Sequence, residues 1–197
     1  MSAPQAPGTA PERPAPAAET AAPPVETTAP SSWIARFAPL VPPGRVLDIA
    51  AGRGRHSLLF LELGHKVLAI DRDIAGLRAL SGRPGFEARA NDLEIGGDPL
   101  PAETFAAVVV ANYLHRPLLP ALVAAVAPGG WLLYETFAVG NEKFGRPSNP
   151  DFLLKPGELI DAVHGRLEIV AYENIEDTTP RPAMRQRIAA RRVAASK

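Results

Sequence analysis

The chain contains no cysteine, which excludes disulfide bonds, thiolate metal ligands and cysteine nucleophiles. No apolar run approaches the roughly 20 residues that a membrane-spanning helix needs, so no transmembrane segment is predicted. Neither sign of charge is in excess, because 21 basic residues balance 21 acidic ones. Such a chain has no overall field to attract nucleic acid or an anionic membrane. We therefore expect a cytoplasmic protein that associates with neither.

Histidine is scarce as well, with four in a chain of 197 residues. The four lie at positions 56, 65, 115 and 164, without the close spacing of metal-ligand motifs. With no cysteine to complete such a site, no metal ion is predicted.

Aromatic residues are missing from the first 30 positions, where eight of the chain's 22 prolines fall. A segment of mostly Pro, Ala and Thr cannot bury enough apolar surface to offset the entropy lost on ordering. We predict a disordered tail over residues 1–30 and one folded domain over residues 31–197.

The rest of the chain alternates between short apolar runs typical of strands and runs typical of helices. The predicted strands are residues 45–49, 66–70, 86–90, 105–110 and 131–137. The predicted helices between them are residues 56–63, 74–80 and 118–126, the last closed by Pro128-Gly129-Gly130. In the C-terminal third, a short helix at 158–163 precedes two alternating strands at 167–175 and 184–193. This order predicts an α/β fold whose sheet ends in a hairpin.

Residues 45–56, RVLDIAAGRGRH, form the most informative stretch. A predicted strand runs into a loop of small residues and a helix then begins. Small residues such as Gly52 and Gly54 allow a sharp turn and close approach of a ligand to the backbone. The helix N-terminus adds free N–H donors, and Arg55 adds a positive charge that a ligand carboxylate can bind.

Asp48 lies just before this loop and narrows the choice of ligand. A carboxylate there would repel the pyrophosphate of a dinucleotide. S-adenosylmethionine has no phosphate and carries an ammonium and a sulfonium, both of which a carboxylate attracts. The sequence therefore favours this cofactor over a nicotinamide dinucleotide.

Two further acids end the second and third predicted strands. Asp71 is placed to accept hydrogen bonds from the two ribose hydroxyls of a nucleoside, and Asp92 to accept one from the adenine amino group. Each acid also has a structural interpretation: Asp48 as a buried cap, Asp71 as a helix N-cap and Asp92 as a turn former. Their shared position at the strand ends favours a nucleoside site.

These residues resemble a known pattern. VLDIAAGRGRH, VLAID, NDLE, FAAVVVANYLHR and PGGWLLYETF resemble the ordered motifs of class I S-adenosylmethionine-dependent methyltransferases, over about residues 33–197. The stretch GRGRHSLLFLELGHKVLAID is similar to the tellurite-resistance-type and related small-molecule group. The resemblance implies a Rossmann-like, doubly wound sheet of seven strands in the order 3-2-1-4-5-7-6, with strand 7 antiparallel.

The resemblance also implies roles for residues after the first four strands. They are Asp48, Ala50, Gly52 and Gly54 for the methionine part, Asp71 for ribose, Arg72 over the adenine side, Asn91, Asp92 and Leu93 for adenine, and Asn112 and Tyr113 beside the methionyl group and the acceptor. Ala50 departs from the family, which usually has Gly there. A methyl group at a close contact is expected to weaken cofactor binding.

The methyl acceptor is predicted to lie between two segments. The first is residues 112–116, where Tyr113 and His115 are candidate catalytic residues and His115 is alternatively a structural residue at a helix start. The second is residues 134–158, whose length and Gly, Pro and Asn content suggest a lid. Its candidate acceptor contacts are Glu135, Asn141, Phe144 and Phe152, and Glu135 is alternatively a partner for an arginine.

A second group of charges lies near the C-terminus, where Arg185, Arg187 and Arg191 share one strand face and Arg181 precedes them. This face is interpreted either as a nucleic-acid patch or, in better agreement with the balanced charge of the domain, as a salt-bridged strand face.

The sequence thus predicts transfer of a methyl group from S-adenosylmethionine to a small-molecule acceptor. The alternatives are an NAD-dependent oxidoreductase on the same fold, a non-catalytic cofactor-binding module and a nucleic-acid or protein methyltransferase. Asp48 and Ser57 disfavour the first, since Ser57 stands where a dinucleotide loop has its third glycine. The acceptor and the oligomeric state are left open.

Overall fold

The computed structural model describes residues 29–95, 100–179 and 181–194. The predicted disordered tail lies, up to residue 28, outside the described residues. Within the described ranges, every helix is too short or too polar to cross a membrane.

One seven-stranded sheet organises the domain, in the order β3-β2-β1-β4-β5-β7-β6. The strands are β1 (Arg45–Ile49), β2 (Lys66–Asp71), β3 (Phe86–Ala90), β4 (Phe105–Ala111), β5 (Val126–Phe137), β6 (Glu168–Asp177) and β7 (Ala183–Arg191). β1 to β5 pair in parallel, and β7 pairs antiparallel with both β5 and β6. The predicted strand order, including the antiparallel β7, is confirmed.

In the described part of the chain, four α-helices flank the sheet: α1 (Ser32–Phe37), α2 (Arg55–Glu62), α3 (Leu119–Ala124) and α4 (Glu158–Val163). Trp33 and Phe37 of α1 and Phe60 of α2 pack on one face with Val46, and α3 and α4 cover the other face. β1 and β4 are therefore buried on both sides, which explains their continuous apolar sequence. Because β1 to β4 are parallel, their carboxyl ends meet at one edge of the sheet.

Three local structures differ from the predictions. Helix α1 was not predicted; its N-cap is Ser31, whose side chain accepts a hydrogen bond from the Ile34 N–H. Residues Ile74–Leu80 form a 3₁₀-helix rather than an α-helix. The Pro128-Gly129-Gly130 stretch lies within β5, not at the end of α3, and forms a bulge: Phe105 pairs with Val126, but Ala107 pairs with Trp131.

Backbone hydrogen bonds join the two ends of the segment that follows β5. The Leu154 N–H donates to the Phe137 carbonyl over 3.0 Å, and the Val139 N–H donates to the Leu154 carbonyl over 2.9 Å. Residues 139–154 thus form a loop whose two ends are joined by backbone hydrogen bonds beside the carboxyl end of the sheet.

Candidate functional site

The loop between β1 and α2 turns through left-handed backbone conformations. The φ angles are 51° at Ala50, 57° at Gly52 and 75° at Gly54. Glycine adopts such angles without steric cost, whereas the side chain of alanine makes them unfavourable by about 1–2 kcal/mol. A Cβ at Gly52 would meet no heavy atom within 4 Å, so the loop is open on that side. The loop thus presents bare backbone to an open space at the edge of the sheet.

The other side of the loop is tightly packed. A Cβ at Gly54 would lie 2.6 Å from Cδ1 of Leu80, and one at Gly76 would lie 2.6 Å from the carbonyl oxygen of Gly52. Gly76 belongs to the 3₁₀-helix, so these two glycines let that helix press directly against the loop. The position of the loop is therefore set by the segment that follows β2.

The strain at Ala50 gives a first prediction. Replacing Ala50 by Gly should stabilise the domain by about 0.5–1 kcal/mol, because the left-handed backbone is then relaxed. Thermal unfolding measures the gain, and Ala51→Gly is the matched control. Ala51 is buried against Ala69 and Leu77, so its loss should destabilise. An Ala50→Gly protein no more stable than the wild type would contradict the strain.

Asp71, at the end of β2, holds the loop in place. One carboxylate oxygen accepts the Gly52 N–H over 2.8 Å, and the other accepts the Asp73 N–H over 3.0 Å. A carboxylate has about four lone-pair positions, so two remain available. The predicted N-cap role belongs instead to Asp73, which accepts the Ala75 N–H.

Asp48 is almost completely buried, with 1% of its surface exposed. Its Oδ2 accepts a hydrogen bond from the Ser57 hydroxyl over 2.6 Å. Burial raises the pKa of Asp48 to about 6, while the Ser57 hydrogen bonds and the Arg55 charge oppose the rise. The carboxylate therefore lies beneath the loop, where it contributes charge rather than a direct exposed contact. Ser57, which the sequence analysis used only to exclude a dinucleotide, is its partner.

The predicted adenine-side residues follow β2 and β3. The Asn91 N–H donates to the Asp71 carbonyl over 2.9 Å, and Asp92 accepts the Glu94 N–H over 2.9 Å, as the turn interpretation expected. Leu93 is buried in the main core cluster, and Arg72 is exposed beside Asp71. Asn91 is thus held by its backbone against the end of β2, where Asp71 lies.

Tyr113 faces the same acids from the end of β4. Burial, followed by the charges of Glu94, Asp92 and Asp71, raises the pKa of Tyr113 to about 12. Its hydroxyl is buried and has no hydrogen-bond partner within the described part of the chain. The Tyr134 hydroxyl holds the Tyr113 carbonyl over 2.8 Å. Tyr113 therefore offers a protonated, unused donor among three carboxylates, one of which, Glu94, the sequence analysis missed.

Asn112 directly follows β4, and Glu135 lies on the neighbouring strand β5. Asn112 has φ 55°, and its side-chain oxygen accepts a hydrogen bond from Arg185 over 2.8 Å. Glu135 is buried, and its Oε2 lies 3.3 Å from Arg187 Nε, an ion pair without hydrogen-bond alignment. Arg187 also pairs with Glu173 and Asp177. Of the two interpretations of Glu135, the arginine partner is the one that the packing favours.

The predicted lid residues do not share one environment. Phe144 and Phe152 are exposed on the loop 139–154, but Asn141 is buried. The Asn141 amide donates to the Pro147 carbonyl and its oxygen accepts the Met184 N–H. The side-chain nitrogen of Asn141 is thus bound within the loop, and its oxygen is bound to β7. This packing does not support the predicted contact of Asn141 with an acceptor.

Arg116 fixes the far end of the same loop. Its guanidinium contacts Glu158 and donates to the carbonyls of Asp151 and Leu153. His115, half-buried, is the N-cap residue of the 3₁₀-turn Arg116–Leu118, but its side chain makes no capping hydrogen bond there, so only the position that its structural interpretation expected is met. His56, interpreted as structural, is buried and accepts the Ser31 N–H over 3.1 Å.

The arginines on β7 are not a continuous patch. Arg187 is buried among carboxylates, and Arg191 pairs with Glu168 over 2.8 Å. Arg185 stacks with its guanidinium carbon 4.6 Å from the centre of the Phe137 ring. This arrangement agrees with the salt-bridged strand face for Arg187 and Arg191, but not for Arg185.

Comparison with known proteins gives matches in structure only. No protein-family model and no curated protein matches the chain. TehB from Haemophilus influenzae matches with a TM-score of 0.65 and 20% identity, over 84% of this chain and 63% of that one. This chain therefore spans less than two thirds of the TehB chain.

Two further solved structures are similar. An S-adenosylmethionine-dependent methyltransferase from Mesorhizobium loti has a TM-score of 0.62 and 20% identity, over 80% of this chain and 95% of that one. The 1,6-didemethyltoxoflavin-N1-methyltransferase of Burkholderia thailandensis, solved with 1,6-didemethyltoxoflavin and S-adenosylhomocysteine, has a TM-score of 0.60 and 22% identity, over 80% and 74%. The chain thus has the Rossmann-like fold of S-adenosylmethionine-dependent methyltransferases.

Proposed function

We propose that this protein transfers the methyl group of S-adenosylmethionine to a small-molecule acceptor. The observation that carries the proposal is the position of Asp71, whose carboxylate lies at the end of β2 and is hydrogen bonded to the glycine loop. Two of its lone-pair positions remain for the two hydroxyls of a ribose. The similar fold of the Burkholderia thailandensis enzyme, solved with S-adenosylhomocysteine, supports the same cofactor here.

The residues around Asp71 fit a cationic nucleoside. The loop is open at Gly52, the buried Tyr113 hydroxyl has no partner in the described chain, and Asp48 adds negative charge beneath the loop. A pyrophosphate at this loop would meet the charge of Asp48, whereas an ammonium and a sulfonium are attracted by it. A carboxylate in the position of Asp71 suits the ribose of either cofactor. The charge of Asp48 therefore favours S-adenosylmethionine over NAD.

In the proposed reaction, bound S-adenosylmethionine would supply a methyl group on a positively charged sulfur: a lone pair of the acceptor would form the new bond to the methyl carbon while the carbon–sulfur bond breaks and leaves its electron pair on sulfur. The residues of this chain contribute mainly by aligning the acceptor with the methyl group of the cofactor. Asp71 and the loop hold the nucleoside side, and Asn112 and Tyr113 border the acceptor side. An acceptor that starts protonated loses one proton, for which His115, two residues after Tyr113, is our candidate base.

Calorimetry with S-adenosylhomocysteine tests the cofactor site. We expect saturable binding to the wild type, and Asp71→Ala should weaken it at least about tenfold, or about 1.4 kcal/mol. Asp71→Asn, which keeps one acceptor oxygen, should lose less. Glu62→Ala, an exposed acid on α2, is the matched control and should bind like the wild type. No binding at millimolar S-adenosylhomocysteine, or tighter binding of NAD, would reject the proposal.

The acceptor class needs a separate experiment. Cell extract incubated with the protein and methyl-radiolabelled cofactor should acquire label in the small-molecule fraction. Label confined to nucleic acid or protein would reject a small-molecule acceptor while leaving the methyltransferase assignment intact.

A further inference from the structure

Arg185 lies at the end of β7 that is nearest to the proposed site. In the sheet it pairs with Phe137 of β5, and its guanidinium stacks on that phenylalanine ring. One of its nitrogens donates to the Asn112 oxygen over 2.8 Å. The side chain is therefore held in one orientation by two neutral groups, next to Asn112, the residue that follows β4.

Three other arginines of the domain have acidic partners. Arg187 contacts three carboxylates, Arg191 contacts Glu168, and Arg116 contacts Glu158. Among the residues that the structure describes, no carboxylate lies within ion-pair distance of Arg185. Glu135 is near enough to act on its charge, but its carboxylate is used by Arg187.

The charges around Arg185 are mixed. Burial lowers the pKa of Arg185 and the charge of Glu135 opposes this, while the like charges of Arg55 and Arg181 lower it further. These arginines come from the start of α2, from β7 and from the stretch before β7. Bringing like charges together costs stability, and such costs are typical of sites that bind a ligand of opposite charge.

The charged residues near Tyr113 and those near Arg185 therefore differ. Asp71, Asp92 and Glu94 surround Tyr113 on the side of β2 and β3, which suits the cationic cofactor. Arg185 lies on the side of β5 and β7, next to Asn112, and Arg181 precedes β7. A guanidinium fork that is oriented by stacking matches a carboxylate or phosphate with two parallel hydrogen bonds.

We propose that Arg185 forms an anion subsite that binds a carboxylate or phosphate group of the methyl acceptor. The identity of the ligand as an acceptor rests on the proposed function, but the subsite itself does not. It would select anionic acceptors over neutral ones of the same shape and orient them toward Asn112.

Calorimetry of the full chain with benzoate, benzamide and inorganic phosphate tests the subsite, with and without S-adenosylhomocysteine. Benzoate and benzamide share a ring and differ in charge. We expect benzoate or phosphate to bind at least about tenfold more tightly than benzamide. Arg185→Met should abolish this preference, and Arg185→Lys should keep part of it. Arg191→Met, six residues along the same strand, is the matched control and should keep all of it.

Three results would overturn the inference. They are equal binding of benzoate, phosphate and benzamide, an unchanged preference in Arg185→Met, and a tenfold loss of S-adenosylhomocysteine affinity in Arg185→Met, which would assign Arg185 to the cofactor carboxylate. If the wild type binds benzoate through Arg185 but not S-adenosylhomocysteine, the anion subsite stands and the methyltransferase proposal fails. Circular dichroism confirms that each variant is folded.

Discussion

Replacing Arg187 by methionine should lower the free energy of unfolding by about 3–5 kcal/mol, because it leaves buried carboxylates without their counter-charge. Glu135 is 4% exposed and pairs with Arg187 in register across β5 and β7. Glu173 and Asp177 of β6 contact the same guanidinium. Urea unfolding followed by tryptophan fluorescence measures the loss, since Trp131 lies on β5.

Arg191→Met is the control for this variant. Its ion pair with Glu168 is about half exposed on both sides, so we expect a much smaller loss than for Arg187→Met. A double variant, Glu135→Leu with Arg187→Met, should recover part of the stability, because the most deeply buried carboxylate is then absent. If Arg187→Met costs no more than Arg191→Met, the buried charge cluster has no net role in stability.

The second large effect is expected at Asp48, and it has opposite signs for stability and for binding. The pKa of Asp48 is raised from 3.8 to about 6, so the folded protein holds the proton more tightly than the unfolded chain does. The resulting stabilisation is complete below about pH 4 and is lost as the pH rises through about 6. A pKa difference of about two between the folded and unfolded states corresponds to about 3 kcal/mol.

Asp48→Asn should therefore be more stable than the wild type by up to about 3 kcal/mol near pH 8, and equally stable near pH 4. The asparagine oxygen can still accept the Ser57 hydroxyl. The same variant should bind S-adenosylhomocysteine several-fold more weakly, because the charge beneath the loop is gone. Urea unfolding across this pH range and calorimetry measure the two effects, with the exposed Asp161→Asn as control. Equal stability near pH 8 would contradict the raised pKa.

His56 has the opposite effect on the pH dependence of stability. Burial, assisted by the Arg55 charge, lowers the pKa of His56 to about 3. Its stabilisation is complete above about pH 6.5 and is lost as the pH falls toward 3, the reverse of Asp48. Between about pH 4 and 6 the two contributions oppose each other in the wild type. In Asp48→Asn, the loss of stability that His56 causes as the pH falls should therefore no longer be offset.

Much of the sheet could be predicted from the sequence because its strands are covered on both faces. The bounds of β1 and β3 match the predictions, and β2 and β4 are each one residue longer. The bulge at Pro128-Gly129-Gly130 could not be predicted, since the same residues also end helices. Helix α1 escaped prediction because its six residues follow a proline-rich stretch and gain stability mainly by packing on the sheet.

The candidate site was predictable where it depends on strand ends and not where it depends on packing. The positions of Asp71, Asp92 and Tyr113 follow from the parallel strands. The burial of Asp48 depends on Ser57 and α2, and the inward turn of Asn141 depends on Met184 and Pro147. Arg185 was grouped with Arg187 and Arg191 by the alternation of the strand, which gives the face of a residue but not its partner.

The contact between Gly76 and the Gly52 carbonyl restricts what the outside of this molecule can tolerate. Gly76 is solvent-exposed in a helical turn, where exchange to alanine is ordinarily the mildest way to strengthen a surface. Here the added methyl would collide with the Gly52 carbonyl of the loop on which the proposed cofactor site depends. An exterior position is thereby coupled to the geometry of that loop, and surface engineering of this protein should leave Gly76 unchanged.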